Sequence, residues 1–378
     1  MSSNIVIIDN HIFSINSFRQ KLIQALMQEG HTITILTSST PEQIQTARKK
    51  GLTVINIGSS VQNLLDISRY LLNLYKALKQ SRATVCLTFT IRPAIWGNFL
   101  TRLLKIPTVT NITGIGPLLS REDFAYRGAR ILYKFALKKT EKIFFQNYDD
   151  MNIFINKGFV NKAIAQRIPG SGIDYEYYSP QKRKKISTGF NFIFISRLIK
   201  DKGITEYVEA AKILKNELPG AVFIIVGPFW KQNLKNNTIS ENEMRQWTKE
   251  AIVDYLGEAE DVREFIAEAD CLVLPSYREG LSNILLEASS MEKPCITCNT
   301  AGCKEVVEDN ITGYLCKTQD AQDLADKMRK MYHLSVENRI KMGKAARQKV
   351  IQEFDKKIVI NAYLKTIEEI TNKYLSSK

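Results

Sequence analysis

Glu279 and Glu287 stand eight residues apart in the stretch Ser276-Tyr277-Arg278-Glu279-Gly280-Leu281-Ser282-Asn283-Ile284-Leu285-Leu286-Glu287-Ala288. A short apolar run, Cys271 to Leu274, leads into it and closes at Pro275, and Ile284, Leu285, Ala288 and Met291 then recur at helical spacing. The pattern reads strand, turn, helix, with Glu279 in the turn and Glu287 inside the helix. Two carboxylates so separated cannot form a tight acid/base pair; they suit the two ends of one elongated ligand. A strand-to-helix junction also places helix N-terminal N–H groups, and the positive end of the helix dipole, at the edge of a parallel sheet, where phosphates bind.

A second junction carries cations. In Phe194-Ile195-Ser196-Arg197-Leu198-Ile199-Lys200-Asp201-Lys202-Gly203 a strand ends at Arg197 and Gly203 precedes a helix. Arg197 and Lys202 together can neutralise a diphosphate, Arg by forked hydrogen bonds and Lys as a point charge. The plainer reading is a pair of surface cations; their place at a second strand-to-helix junction favours the ligand. Other chemistries find less support. No Gly-x-Ser-x-Gly elbow is present for a hydrolytic triad. No Asp-x-Asp is present for a metal-bound donor, and cationic neutralisation makes a metal unnecessary. Cys295-Ile-Thr-Cys298 with Cys303 nearby lacks a matching second pair, so the six cysteines (Cys86, Cys271, Cys295, Cys298, Cys303, Cys316) read as buried thiols rather than zinc ligands. Of three histidines, His31 reads as structural and His333 lies away from every motif. His11 follows the first strand and is either an acceptor-side base or hydrogen-bond donor, or a satisfied structural histidine.

The elements that must hold these groups alternate along the chain. Apolar runs occur at Ile5–Ile8, Thr32–Leu36, Val54–Ile57, Val85–Thr88, Thr108–Asn111 and Lys142–Phe145, with helical patterns between them such as Phe18–Gln28, Leu64–Lys79 and Ala94–Leu104. Such alternation indicates a parallel sheet covered on both faces. It lapses at Pro169-Gly170-Ser171-Gly172, Pro180 and Lys182-Arg183-Lys184-Lys185, then restarts at Phe192–Ile195 and Val222–Val226 and continues through Cys271–Leu274 and Cys295–Thr297. The expectation is an α/β chain of two doubly wound, Rossmann-like domains, 1–168 and 191–353, facing a cleft. Residues 169–190 form the linker, and a helix from Phe354 to Tyr374, within 354–378, is placed to pack back on the first domain. With 378 residues, 44% hydrophobic and 24% charged, the chain can bury a large core.

The net charge of +14 is lopsided: residues 1–168 hold 22 Lys and Arg against 9 Asp and Glu, the remainder 31 against 30. The first half therefore faces something acidic. If Phe124 to Lys142 is helical, Arg127, Arg130, Lys134 and Lys138 share a stripe flanked by Phe124, Ile131 and Phe135. That suits an anionic membrane surface, or equally a buried helix whose cations reach out to water. No aromatic-rich strand or recognition helix accompanies the charge, which argues against nucleic acid. The start shows no basic leader, and no apolar run approaches the ~18 residues of a spanning helix.

Ser196-Arg197 with Lys202-Gly203 resembles the donor-diphosphate motif of the family-four retaining glycosyltransferases. So does the later series Ala269-Asp270, Pro275-Ser276, Glu279 to Glu287, Gly302-Cys303-Lys304-Glu305 and Gly313. The resemblance implies the GT-B fold, with a nucleotide-sugar donor, UDP-linked, held mainly by the C-terminal domain. By residue, it implies Arg197 and Lys202 on the diphosphate, Glu279 on the transferred sugar and Glu287 on the ribose. Turn groups at Gly280, Leu281, Ser282 and Asn283 would add contacts. The first half is similar to a narrower group that builds bacterial surface glycans on polyprenyl diphosphate, through Thr88-Phe89-Thr90-Ile91-Arg92-Pro93, Asn111-Ile112-Thr113-Gly114-Ile115-Gly116 and Phe145-Gln146-Asn147-Tyr148-Asp149-Asp150. Gly114 and Gly116 let the backbone approach a ligand closely. The chain departs from many relatives in two places: Thr113–Leu118 holds no His, and Asp9-Asn10-His11 replaces a glycine pair.

The expected activity is a cytoplasmic, membrane-associated, metal-independent retaining glycosyltransferase. It would move an N-acetylhexosamine or hexose from UDP to a polyprenyl-diphosphate-linked saccharide in O-antigen- or capsule-type synthesis. The rivals are a nucleotide-sugar epimerase of the same fold, a transferase with a soluble acceptor, and a silent nucleotide-sugar binding protein.

Overall fold

The computed structural model describes residues 2–49, 51–58, 64–115, 124–181, 189–230 and 237–375. The chain forms two compact units, Met1–Ser171 with Lys356–Lys378, and Gly172–Asp355.

The first unit is built on a seven-stranded parallel sheet. Its strands are β1 (Asn4–Asp9), β2 (Thr32–Thr37), β3 (Thr53–Asn56), β4 (Val85–Phe89), β5 (Thr108–Ile112), β6 (Lys142–Phe145) and β7 (Ala165–Arg167), in the order β3-β2-β1-β4-β5-β6-β7. The second unit has six parallel strands: β8 (Phe190–Ile195), β9 (Ala221–Val226), β10 (Asp254–Tyr255), β11 (Cys271–Leu274), β12 (Cys295–Cys298) and β13 (Gly313–Cys316), ordered β10-β9-β8-β11-β12-β13. Helices on both faces of a sheet bury its strands completely, which is why the central ones read as unbroken apolar runs. Every residue of β4 and of β8 is buried.

In each sheet the strand order reverses beside the first strand: β1 lies between β2 and β4, and β8 between β9 and β11. The loops leaving β1 and β4, and those leaving β8 and β11, diverge to opposite faces and open a crevice at the carboxyl edge. The sheets thus fix in advance where a ligand can meet each unit.

Three boundaries differ from expectation. The chain passes between units at Ser171/Gly172 rather than through a linker spanning 169–190. Gly172 onward belongs to the second unit because Ile173 N–H donates to Phe354 O at 2.8 Å and Tyr178 N–H closes a turn on Asp174 O at 2.9 Å. The basic run Lys182-Arg183-Lys184-Lys185 lies outside the described residues. The last helix begins at Lys356, not Phe354: Phe354 stays buried in the second unit's core, whereas Val359, Tyr363, Ile367 and Ile370 of Lys356–Leu375 fill the first unit's core. The basic helix spans Phe124–Leu137 and stops short of Lys142, which starts β6.

Candidate active site at the carboxyl edge of the second sheet

Arg197 follows β8 by two residues and is exposed, its guanidinium 4.6 Å from the centre of the Trp230 ring. Among the described residues it has no ion-pair partner. The chain then makes a tight 3-10 turn, Lys200–Lys202, and enters the Ile204–Leu214 helix through Gly203, whose φ is +77°. A Cβ at Gly203 would fall 2.1 Å from the Pro275 carbonyl oxygen. Glycine here lets the turn carrying Lys202 press against the loop leaving β11.

That loop carries Glu279. Lys202 Nζ and Glu279 Oε1 form an ion pair, and Ser276 Oγ donates to the same carboxylate oxygen at 2.8 Å. Their side chains retain only 16% and 13% of their exposure, so the pair is largely screened from water and the carboxylate is held by a cation and a hydroxyl. Backbone bonds fix the loop on both sides. Tyr277 N–H donates to Asp201 O at 2.9 Å, Glu279 N–H to Ala301 O at 3.0 Å, and Ser282 N–H to Gly302 O at 2.9 Å. Gly302 has φ +79°, and a Cβ there would sit 2.4 Å from Glu279 O. The loops after β8, β11 and β12 are thereby stitched into one edge.

Beyond Glu279 the chain enters the Asn283–Ser290 helix. Ser282 is its N-cap residue, but its hydroxyl makes no capping bond, so the first-turn N–H groups keep their donor capacity at the sheet edge. Glu287 lies one turn inside this helix. Burial, and after it the nearby Glu287 carboxylate, push the Tyr178 pKa well above its ordinary range. Farther along, the Tyr277 hydroxyl donates to Glu206 Oε1 at 2.7 Å, in the first turn of the Ile204–Leu214 helix. There the helix dipole favours a carboxylate.

Arg197, Lys202, Glu279, Gly280, Leu281, Ser282, Asn283 and Glu287 therefore all belong to the junctions leaving β8 and β11, at the strand-order reversal. Sequence reasoning missed Tyr178 and Trp230. The Asx-type turn begun by Asp174, whose Oδ1 accepts from Tyr177 N–H at 3.1 Å, was a legible local signal, but nothing along the chain links Tyr178 to Glu287.

The remaining sequence-predicted positions lie in the first unit. Gly114, with φ +139°, follows β5, and Gly116 lies outside the described residues. His11 is exposed; its backbone N–H points to Asp9 Oδ1 at 3.5 Å. At the reversal beside β1, Asn10 Nδ2 donates to Thr90 Oγ1 at 2.8 Å, and Thr90 takes φ +69°, costly for a β-branched residue. Both β1 and β4 run into helices containing a π-helical stretch, Ile15–Arg19 and Pro93–Gly97, a distortion that gathers at functional sites. Beneath them a buried ion pair joins Arg19 Nε to Asp9 Oδ2 at 3.1 Å, with the guanidinium 3.7 Å over Phe89. Asn111 Nδ2 donates to Tyr363 Oη at 2.9 Å, tying the last helix to the sheet.

The six cysteines are buried free thiols; burial pushes Cys303, beside Glu279, up to about 12. Among the described residues no helix is long and apolar enough to cross a membrane.

Two family models match, one in each half. That of the glycosyl transferases group 1 covers residues 179–349 and that of the glycosyl transferase 4-like group covers residues 11–147. The chain is 27% identical over 382 residues, 94% of its own length and 96% of the other's, to the N,N'-diacetylbacillosaminyl-diphospho-undecaprenol alpha-1,3-N-acetylgalactosaminyltransferase of Campylobacter jejuni. It is 28% identical over 330 residues, 83% of its length and 80% of the other's, to the UDP-Gal:alpha-D-GlcNAc-diphosphoundecaprenol alpha-1,3-galactosyltransferase of Escherichia coli. Its fold is shared with a glycosyltransferase from Rickettsia africae, at a TM-score of 0.77 and 18% identity over 97% of this chain and 98% of that one. It is shared also with Anabaena HepE in complex with UDP-glucose, at 0.74 and 17% over the whole of both chains. With one such model on each unit and both parallel sheets in place, the chain belongs to the glycosyltransferases of group 1 and 4-like type, on the GT-B fold.

Proposed function

We propose that the enzyme transfers a hexose or N-acetylhexosamine from UDP, with retention of anomeric configuration, to a polyprenyl-diphosphate-linked saccharide in bacterial surface-polysaccharide synthesis. The observation that carries this reading is the pairing of Lys202 with Glu279, on the same sheet edge as the exposed Arg197, at the strand-order reversal of the second sheet. Arg197 and Lys202 receive the diphosphate, Glu279 orients the transferred sugar, and Glu287 accepts from the ribose hydroxyls. Donors at Gly280, Leu281, Ser282 and Asn283 face the phosphates. The acceptor engages the first unit near Asn10, His11, Thr90 and Gly114.

In the transfer, the acceptor hydroxyl oxygen bonds to the anomeric carbon while the bond from that carbon to the β-phosphate oxygen breaks. The acceptor proton passes to the departing phosphate. Lys202 and Arg197 stabilise the charge that grows on this leaving group, so no metal ion is required.

A peripheral cytoplasmic place at the membrane follows from the acceptor. Supporting it, Ile131 and Phe135 of the basic helix are 73% and 47% exposed, beside Phe99 and Leu103 at 41% and 65%. Arg102 lies 4.6 Å from the Phe135 ring centre, and Lys134, Lys138 and Lys139 are exposed alongside. Basic side chains around exposed large apolar ones suit an anionic bilayer surface.

The test is nucleotide release across UDP-, GDP- and ADP-sugars, with and without lipid-linked acceptor, with the donor alone followed by NMR. UDP release that needs the lipid-linked acceptor is expected. Conversion of donor without acceptor would replace the reading with epimerisation, and equal release with a soluble saccharide would remove the lipid from it.

A further inference from the structure

Arg197 and Lys202, the two cations given to the diphosphate, are held in opposite ways. Lys202 is paired with the Glu279 carboxylate. Arg197, exposed just beyond β8, meets an aromatic ring instead: its guanidinium carbon lies 4.6 Å from the centre of the Trp230 ring. The two residues come together because the loops leaving β8 and β9 run on side by side past the sheet. Leu198 N–H donates to Pro228 O at 3.0 Å, and Leu198 and Phe229 form a parallel bridge. Arg197 and Trp230 each adjoin that bridge, one on either loop. Gly227 makes the approach possible: its φ is +146°, and a Cβ there would overlap the Ser196 carbonyl oxygen. Tyr255, on the edge strand β10, braces the second loop. Its hydroxyl donates to Gly227 O at 2.9 Å, and its ring meets Phe229 edge-on at 5.4 Å.

We propose that Trp230 is a positioning residue for the donor diphosphate: its ring holds the Arg197 guanidinium by cation–π attraction and leaves the cation its charge for the phosphate oxygens. The proposal rests on the diphosphate role given to Arg197 above. An exposed Arg side chain gives up much rotamer freedom when it binds, which weakens its grip on an anion unless something holds it beforehand. A carboxylate would hold it by neutralising it, and would compete with the phosphates for its N–H groups. An aromatic face attracts the guanidinium through the ring quadrupole and offers no such competing acceptor, and Trp does this best. Lys202 is thus held by an anion that a diphosphate must displace, and Arg197 by a neutral ring that can stay in place.

The experiment measures, by calorimetry, binding of UDP and of uridine, which lacks the phosphates, to the full chain. Its Trp230→Leu, Trp230→Phe and Arg197→Ala variants, and the double variant of Trp230→Leu with Arg197→Ala, are measured alongside. Trp230→Leu is expected to weaken UDP about fivefold, the size of one cation–π contact at an exposed site, and to leave uridine within about twofold. Trp230→Phe, which keeps a ring, should recover most of the UDP affinity, and Trp230→Leu should add no loss once Arg197 is replaced. Equal losses of UDP and uridine in Trp230→Leu would make the ring a platform for the base and overturn the proposal. Wild-type UDP affinity in Trp230→Leu, or the same loss with and without Arg197, would overturn it too. Wild-type UDP affinity in Arg197→Ala overturns instead the diphosphate role of Arg197, and the proposal with it.

Discussion

Lys202 and Glu279, 77 positions apart in the chain, form an ion pair at the carboxyl edge of the second sheet, and Ser276 donates to the same carboxylate oxygen at 2.8 Å. The site thus holds its own cation and anion in register. Under the proposed function, a bound diphosphate would compete with Glu279 for Lys202 and free the carboxylate to meet the sugar.

Loss of either cation should therefore act on the leaving group. Lys202→Met and Arg197→Ala are expected to lower kcat by about 10²–10³ each, the cost of removing one charge stabiliser from a transition state. Glu279→Gln should lower kcat while leaving UDP affinity within a few-fold, because UDP lacks the transferred sugar. Steady-state kinetics with UDP as a competitive ligand separates the two effects. Wild-type turnover in both cation variants would remove the diphosphate role.

Gly302 tests the stitching of the edge. With φ +79° and a would-be Cβ 2.4 Å from Glu279 O, the obstruction is backbone and cannot rotate away. Gly302→Ala should destabilise the second unit by about 1–3 kcal/mol and weaken UDP binding by displacing the Glu279 loop. Thermal unfolding with and without UDP reads both effects; a variant that melts and binds like wild type would show the loops to be independent.

The fold was legible where burial is two-sided. β4 and β8 are covered on both faces, and their apolar runs stand out unaided. β7 and β10, with three and two residues, are too short to show a period, and β13, a four-residue edge strand, escaped as well. The site was legible where one local junction contains it: Glu279 and Glu287 share one such stretch and Arg197 and Lys202 another. Pairings across long separations left no trace in the chain. Lys202 meets Glu279, and Asn10 meets Thr90, only because the fold brings distant turns together. The π-helical stretches after β1 and β4 are equally silent, since one extra residue in a turn changes no periodic pattern.

Membrane attachment predicts a charge- and apolar-dependent partition. Replacing Lys134 and Lys138 with Gln should weaken binding to anionic vesicles by ~2 kcal/mol, roughly thirtyfold. Ile131→Ser with Phe135→Ser should weaken it on neutral and anionic vesicles alike, because those side chains contribute by burial rather than charge. Flotation with phosphatidylglycerol-containing and purely zwitterionic liposomes distinguishes the two. Unchanged flotation in both variants would place the contact elsewhere.

The second unit carries a capping box whose pH response has a fixed sign. Ser240 Oγ accepts from Glu243 N–H at 3.2 Å, and the Glu243 carboxylate accepts from Ser240 N–H at 2.8 Å. The Ser240 side chain and backbone hold Glu243 below its ordinary 4.5. A carboxylate depressed in the folded state contributes its full stabilisation above the unfolded pKa and loses it as the pH falls through the folded one. Glu243→Ala should therefore lower the melting temperature at pH 7, and the gap to wild type should close progressively below pH 4.5. A gap that stays constant through that range would mean the helix end is held by packing alone.

The buried pair of Asp9 and Arg19 makes the sharpest test of the first unit. Taking two charges from water is costly, and their attraction offsets that cost only while both are present. Arg19→Met leaves the buried Asp9 without its cation and should cost about 3–5 kcal/mol. Asp9→Asn combined with Arg19→Met removes both charges and should recover most of that loss, giving a strongly non-additive cycle. Urea unfolding, read by hydrogen exchange at the β1 and β4 amides, reports on this unit separately. Additive losses would mean that Arg19 contributes through its stacking at 3.7 Å on Phe89 and not through its charge.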